Sequence, residues 1–303
     1  MKDGPMASPA DVVPLERQST GVIGDYVALT KPRLNLLVVA TSAAGYYLGG
    51  PRAPDVMLMA QAVAGTALVA GGAAVLNQVY ERDTDALMRR TRMRPLPDGR
   101  VTPPEARIFG ATLSLAGLAL LALRANALAA SLALATLIVY LIVYTPMKRR
   151  TSLATLIGAV PGALPALIGW TASHGRIAAG GATLFAIVFL WQIPHFMAIA
   201  WLYRDDYGKA GFPMLPVIEP EGRRASRQAV IYAAALVPVS LAPALVGIAG
   251  PIYFGVALVL GAALLALSVR FASTRSENAA RALFFGSITY LPLIWLAMIA
   301  NRL

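Results

Sequence analysis

The chain contains no cysteine. Disulfides, thiolate catalysis and cysteine-held zinc or iron–sulfur centres are thereby excluded. Histidine is nearly as scarce: His174 and His195 are the only two in 303 residues, too few for a multi-histidine metal cage within one chain. Charge is thin as well, at 14% of residues against about 25% in soluble domains. The first 24 residues lack the apolar core of roughly 7–15 residues that a secretory signal needs.

Hydrophobic residues make up 57% of the chain. They gather in almost uncharged blocks of roughly 20 residues, the length that crosses about 30 Å of hydrocarbon as a helix. Nine spans are expected, near 29–49, 56–80, 104–123, 126–146, 153–172, 179–202, 228–248, 251–270 and 280–300. The runs are continuous rather than alternating, which excludes a closed β-barrel. Connections at Arg124-Ala125, at Gly250 and over 173–178 are short enough to force antiparallel neighbours. The expected fold is all-α, a polytopic bundle of nine transmembrane helices. Residues 1–24 form a disordered or surface-lying tail ahead of a single membrane domain over 25–303. The glycines and prolines of G-A-V-P-G-A-L-P at 158–165 are expected to break the fifth span, as helix breakers do where backbone lines a cavity.

The net charge of +11 on a soluble chain would suggest nucleic acid. Here 22 of the 26 lysines and arginines fall in loops on one side of the nine spans, so orientation in the membrane explains them and no nucleic-acid partner is implied. That side is cytoplasmic by the positive-inside rule, and it includes the N-terminus. The acids crowd there too, with only Asp55 of 15 Asp and Glu on the far side. The orientation rule does not act on acids, so their crowding points to function.

Asn77, Glu81 and Asp85 are spaced to share one stripe of a helix at the cytoplasmic end of the second span. Three oxygen-bearing side chains there suit a hard cation such as Mg²⁺. The arginines that follow, Arg90 and Arg94 among them, suit a phosphate. Lys31 at the first span and Lys148 with Arg149 after the fourth are either membrane anchors or further diphosphate contacts. A second acidic stretch, Y-R-D-D-Y at 203–207, ends the sixth span on the same face. Asp205 and Asp206 are candidates for a second metal position, and Tyr203 and Tyr207 for substrate contact. His195 lies about 12 Å deeper than Tyr203 at about 1.5 Å per residue. An ionisable residue inside a span faces the bundle interior and marks function, or else bonds a neighbouring helix. Metal, basic cluster and lipid together point to a lipid diphosphate.

Taken in order, T-K-P-R-L-N-L-L-V at 30–38, N-Q-V-Y-E-R-D-T-D-A-L-M-R-R-T at 77–91, R-P-L-P-D-G-R at 94–100, Y-T-P-M-K-R-R-T at 144–151, W-Q-I-P-H-F at 191–196 and Y-R-D-D-Y at 203–207 resemble the UbiA-type intramembrane prenyltransferases, and within them the branch that farnesylates heme. The likeness covers nearly the whole chain after residue 25. It implies a central cavity open to lipid, and Mg²⁺-dependent transfer of the farnesyl group of farnesyl diphosphate to the C2 vinyl of heme B with addition of water. It implies farnesyl diphosphate, heme B and membrane lipid as partners, a heme A synthase or an oxidase assembly factor beside them, and the bacterial plasma (inner) membrane as location. The wider superfamily reads Asn-x3-Asp-x3-Asp in its first motif, where Glu81 stands in the middle here. Its second reads Asp-x3-Asp, where Tyr203 and Tyr207 stand here, with the acids at 205 and 206. Both departures are similar to the heme branch. A prenyltransferase acting on an aromatic quinone precursor is the alternative, and a transporter the rival outside the class. A transporter places charge near the midplane, whereas these acids sit at one face.

Overall fold

The computed structural model describes residues 21–303, so the reading of 1–20 as a tail falls outside the described residues. Its helices are α1 (Gly21–Leu29), α2 (Pro32–Gly49), α3 (Val56–Leu87), α4 (Pro103–Arg124), α5 (Ala127–Ile138), α6 (Thr145–Met147), α7 (Ala154–His174), α8 (Ala179–Leu202), α9 (Arg204–Lys209), α10 (Leu215–Ile218), α11 (Arg223–Leu245), α12 (Pro251–Thr274) and α13 (Glu277–Ala300). A π turn, Val139–Tyr144, joins α5 to α6 without a break. Among the described residues there is no β-strand, only an isolated bridge between Ala249 and Arg302. Eight helices among the described residues are long and apolar enough to cross a membrane, with α5, the π turn and α6 counted as one. The ninth expected span is α2, a shorter helix that packs along α7.

Local chemistry sets the helix ends. The Asp55 carboxylate accepts from the backbone N–H groups of Met57 and Leu58 and starts α3. Glu105 accepts from the backbone and hydroxyl of Thr102 at 2.9 and 2.7 Å, with Pro103 in the first turn, where its missing N–H costs nothing. Gly175 ends α7 in the left-handed conformation, φ 77°, that glycine adopts freely. Residues 21–24, assigned to the tail from the sequence, are the first turn of α1. This helix exposes Val22, Ile23 and Val27 and buries Asp25 and Leu29, the pattern of a helix lying against lipid. Arg100 pairs with Asp25 and ties α1 to the loop after α3.

The largest core joins α7 and α8 to α11, α12 and α13 through Ile187, Leu236, Tyr253, Leu283 and Ile294, all buried. Backbone approach is closest where side chains are absent. A methyl at Gly169 of α7 would overlap the Ser42 carbonyl oxygen of α2 and stand 2.8 Å from its carbon. Helices in lipid associate by such close packing. Gly169→Val should therefore force α2 off α7 and cost at least the roughly 1–3 kcal/mol of ordinary overpacking. A thermal melt in detergent checks this, and an unchanged Tm would show that the contact does not hold the bundle.

Residues 158–165 do not break the fifth span. α7 runs unbroken through Pro161 and Pro165, because neighbouring helices re-satisfy the few backbone groups that proline leaves free. Gly158, Pro161, Gly162 and Pro165 form a low-relief wall of an interior cavity. The other decisive element is α3. Its 32 residues extend about 48 Å at about 1.5 Å per residue, well past the roughly 30 Å of hydrocarbon. Its last turns stand clear of the apolar layer, and they carry the first acidic motif.

Candidate active site

Asn77, Glu81 and Asp85 do share a face of α3, and all three are buried. Each is held by a basic or polar partner from elsewhere in the chain. Lys148 donates to both oxygens of Glu81 at 2.8 and 3.1 Å. Arg94 donates to Asp85 at 2.7 Å. The Asn77 amide donates to the Thr145 hydroxyl at 3.0 Å and accepts from Lys31 at 3.4 Å. Three cations that the sequence marks as diphosphate contacts therefore stand directly on the three candidate metal ligands. Burial acts against the Lys148 ammonium, but Tyr144 and the Glu81 carboxylate outweigh it and hold it above its ordinary value.

Below this polar end lies a cavity of about 400 Å³ with mostly apolar walls. Lys31 is at its mouth, and Tyr140, Tyr144, Gln192, His195 and Phe196 line it. Tyr140 and Tyr144 stack at 5.4 Å, and the Lys148 ammonium lies 5.4 Å from the Tyr144 ring and 5.2 Å from that of Phe212. The π turn lets the Thr145 N–H and hydroxyl both donate to the Tyr140 carbonyl, and such widened turns recur at functional sites. His195 both lines the cavity and bonds a neighbouring helix: its Nδ1 is 2.8 Å from the Ser287 hydroxyl oxygen. His174, the other histidine, ends α7 on the far side, bonded to the Gly49 carbonyl at 2.9 Å.

The second motif is brought beside the end of α3, at a separate cavity. Arg89, Arg90, Tyr203, Asp205 and Asp206 line that one, about 460 Å³ in volume. Arg90 lies over the Tyr203 ring at 5.0 Å. Tyr207 packs edge-on against Phe212 at 6.1 Å. Asp205 is exposed and Asp206 half-buried, and among the described residues neither carries a salt bridge. Three or more His, Cys, Asp or Glu side chains do not converge as a metal cage among the described residues. Arg149 is exposed and outside the walls of the interior cavity, because Lys148 is the member of that basic run turned inward. Sequence reasoning passed over Tyr140, Thr145, Gln192 and Ser287. The i, i+4 spacing of the two tyrosines was available as a signal for the first; nothing near Ser287 in the chain ties it to His195.

A helical bundle with a buried acid-and-base cluster capping an apolar cavity defines a class. Residues 38–291 match the UbiA prenyltransferase family, and the chain belongs to that family. Its relatives include proteins called protoheme IX farnesyltransferase. The one from Solibacter usitatus is 46% identical over 287 residues, covering 92% of this chain and 98% of that protein. The one from Koribacter versatilis is 44% identical over 291 residues, covering 93% and 94%. Among solved structures, a digeranylgeranylglyceryl phosphate synthase superposes with a TM-score of 0.78 at 18% identity, over 92% of this chain and 98% of that one. A UbiA homolog from Archaeoglobus fulgidus bound to GPP and Mg²⁺ gives 0.64 at 18% identity, over 91% and 99%. The chain is thus a multi-pass membrane enzyme of the prenyltransferase type.

Proposed function

We propose that this enzyme transfers the farnesyl group of farnesyl diphosphate to the C2 vinyl of heme B, with addition of water, to give heme O for terminal oxidases. The observation that carries the reading is the join between the two halves of the site. Lys31, bonded to Asn77 of the acidic stripe, lines an apolar cavity of about 400 Å³, a volume within the range of small-molecule sites, and Lys148, paired with Glu81, lies over Tyr144 of the same wall. A polar end for a diphosphate and a dry interior for an isoprenoid chain are what such a substrate requires.

Two buried carboxylates and one amide oxygen fit Mg²⁺, which proteins hold through one or two carboxylates while substrate phosphates complete the shell. Asn77, Glu81 and Asp85 would hold it, and Asp205 and Asp206 are the proposed second set of ligands on the same face. When bound, Mg²⁺ supplies positive charge to the departing diphosphate. Lys148 and Arg94 neutralise Glu81 and Asp85 in the substrate-free protein. An incoming diphosphate is the anion to which they turn, and the carboxylates are then free for a cation. Lys31 adds positive charge around the leaving group, and Arg90, beside Asp205 and Asp206 at the neighbouring cavity, is the proposed basic contact on that side.

As the C1–O bond of the substrate breaks, the allylic cation meets the stacked faces of Tyr140 and Tyr144, which stabilise positive charge where water is scarce. Carbon–carbon bond formation at the vinyl group moves the cation to the carbon next to the porphyrin. Water adds there and releases a proton. His195 is the proposed heme contact, and the acidic motifs face the cytoplasm of a bacterial inner membrane.

The test is the mass of the porphyrin made in membranes that carry this chain and otherwise lack the activity. A heme heavier than heme B by one farnesyl group plus one hydroxyl group is expected. It should vanish with a chelator and return with Mg²⁺. A prenylated quinone precursor with unchanged heme would defeat the substrate assignment, and full activity under chelation would defeat the metal.

A further inference from the structure

We propose that Ser287 is a positioning residue for His195, and that its hydroxyl fixes the imidazole tautomer so that Nε2 presents a bare lone pair to the cavity. The electron-pair acceptor suited to that lone pair is a heme iron, so this inference rests on the reading of His195 as the heme contact.

The Ser287 hydroxyl oxygen is 2.7 Å from the Phe284 carbonyl and 2.8 Å from His195 Nδ1. A hydroxyl has a single hydrogen, and a carbonyl oxygen can only accept. The Ser287 hydrogen is therefore committed to Phe284, one turn back on α13. Only lone pairs remain for the imidazole, so Nδ1 must carry the proton and donate. A neutral imidazole has one N–H, which leaves Nε2 as an acceptor.

The ring is also held in direction. Trp191 stacks on it at 5.2 Å and 17°, and Phe284 at 5.2 Å and 21°. Trp191 is in turn anchored by its indole N–H to the Ser287 backbone carbonyl at 2.7 Å. Ser287 thus fixes two aromatic side chains of α8 through two different atoms, and only the hydroxyl sets the tautomer. An imidazole whose Nδ1–H is tied and whose Nε2 is free is the form that ligates metal. His195 lines the interior cavity, where that lone pair has somewhere to act.

Two measurements test this. The chain has two histidines, so protein labelled with ¹⁵N-histidine and carrying His174→Gln reports His195 alone. Without substrate, Nδ1 should resonate as a protonated nitrogen and Nε2 as an unprotonated one; a protonated Nε2 overturns the inference and needs no variant at position 287. In heme titrations, Ser287→Ala should weaken affinity about tenfold, as loss of a partner to a ligating histidine does, and should shift the Soret band. Ser287→Thr should restore both, and neither variant should alter farnesyl diphosphate affinity. Trp191 keeps its backbone acceptor in both, so a general loss of packing is not expected. Unchanged heme affinity and spectrum in Ser287→Ala overturn the positioning role. If His195→Ala itself binds heme as the wild type does, the heme contact is what fails, while the nitrogen spectrum still decides the tautomer.

Discussion

Asp85→Asn should cut prenyl transfer by about a thousandfold, the upper range for removing one preorganised electrostatic group, and leave the protein folded. Asp85 is 1% exposed and accepts from Arg94 at 2.7 Å. Asparagine keeps the shape and one oxygen acceptor for that arginine but removes the charge that a divalent cation needs. The Arg94 side chain is 26% exposed, so its own charge can reach water and the stability cost should stay near the roughly 1 kcal/mol of solvent-screened pairs. Single-turnover rates with farnesyl diphosphate and heme, beside a melting curve, separate the two effects. A rate within tenfold of wild type would take Asp85 out of the reaction.

The second large effect is on the fold as well as the chemistry. Lys148→Met should destabilise the protein by about 3 kcal/mol or more, because removing one member of a buried pair strands the other charge. The side chains of Lys148 and Glu81 are only 16% and 7% exposed, so little solvent screening softens the loss. Adding Glu81→Gln should recover most of the melting temperature, since the stranded carboxylate is gone, but none of the activity. A double variant no more stable than Lys148→Met would show that the destabilisation has another source. One that regained turnover would remove both residues from the site.

These two acids illustrate what could be read from the chain and what could not. That Asn77, Glu81 and Asp85 share a stripe follows from the 3.6-residue period of a helix, a local property. The spans are legible for the same kind of reason: the cost of burying polar groups in hydrocarbon acts residue by residue along the chain. The Arg94–Asp85 pair, nine residues apart, was within reach of such reasoning.

The remaining partners lie far away in sequence. Glu81 meets Lys148 across 67 residues, Asn77 meets Thr145 across 68 and His195 meets Ser287 across 92. No local periodicity specifies such pairs, because they depend on which helix faces pack together. The basic run at 148–150 shows this in one place: composition made all three residues equal, and the direction of the chain after α6 turned Lys148 alone toward Glu81. The sequence by itself determined the membrane class, the helical spans, the family and the face on which the acids crowd. Only the tertiary structure decided that Lys31, Arg94 and Lys148 rest on Asn77, Asp85 and Glu81, that the two acidic motifs border different cavities, and that α7 continues through its prolines. Each of those outcomes is set by helix packing, where contacts between distant segments outweigh any local preference.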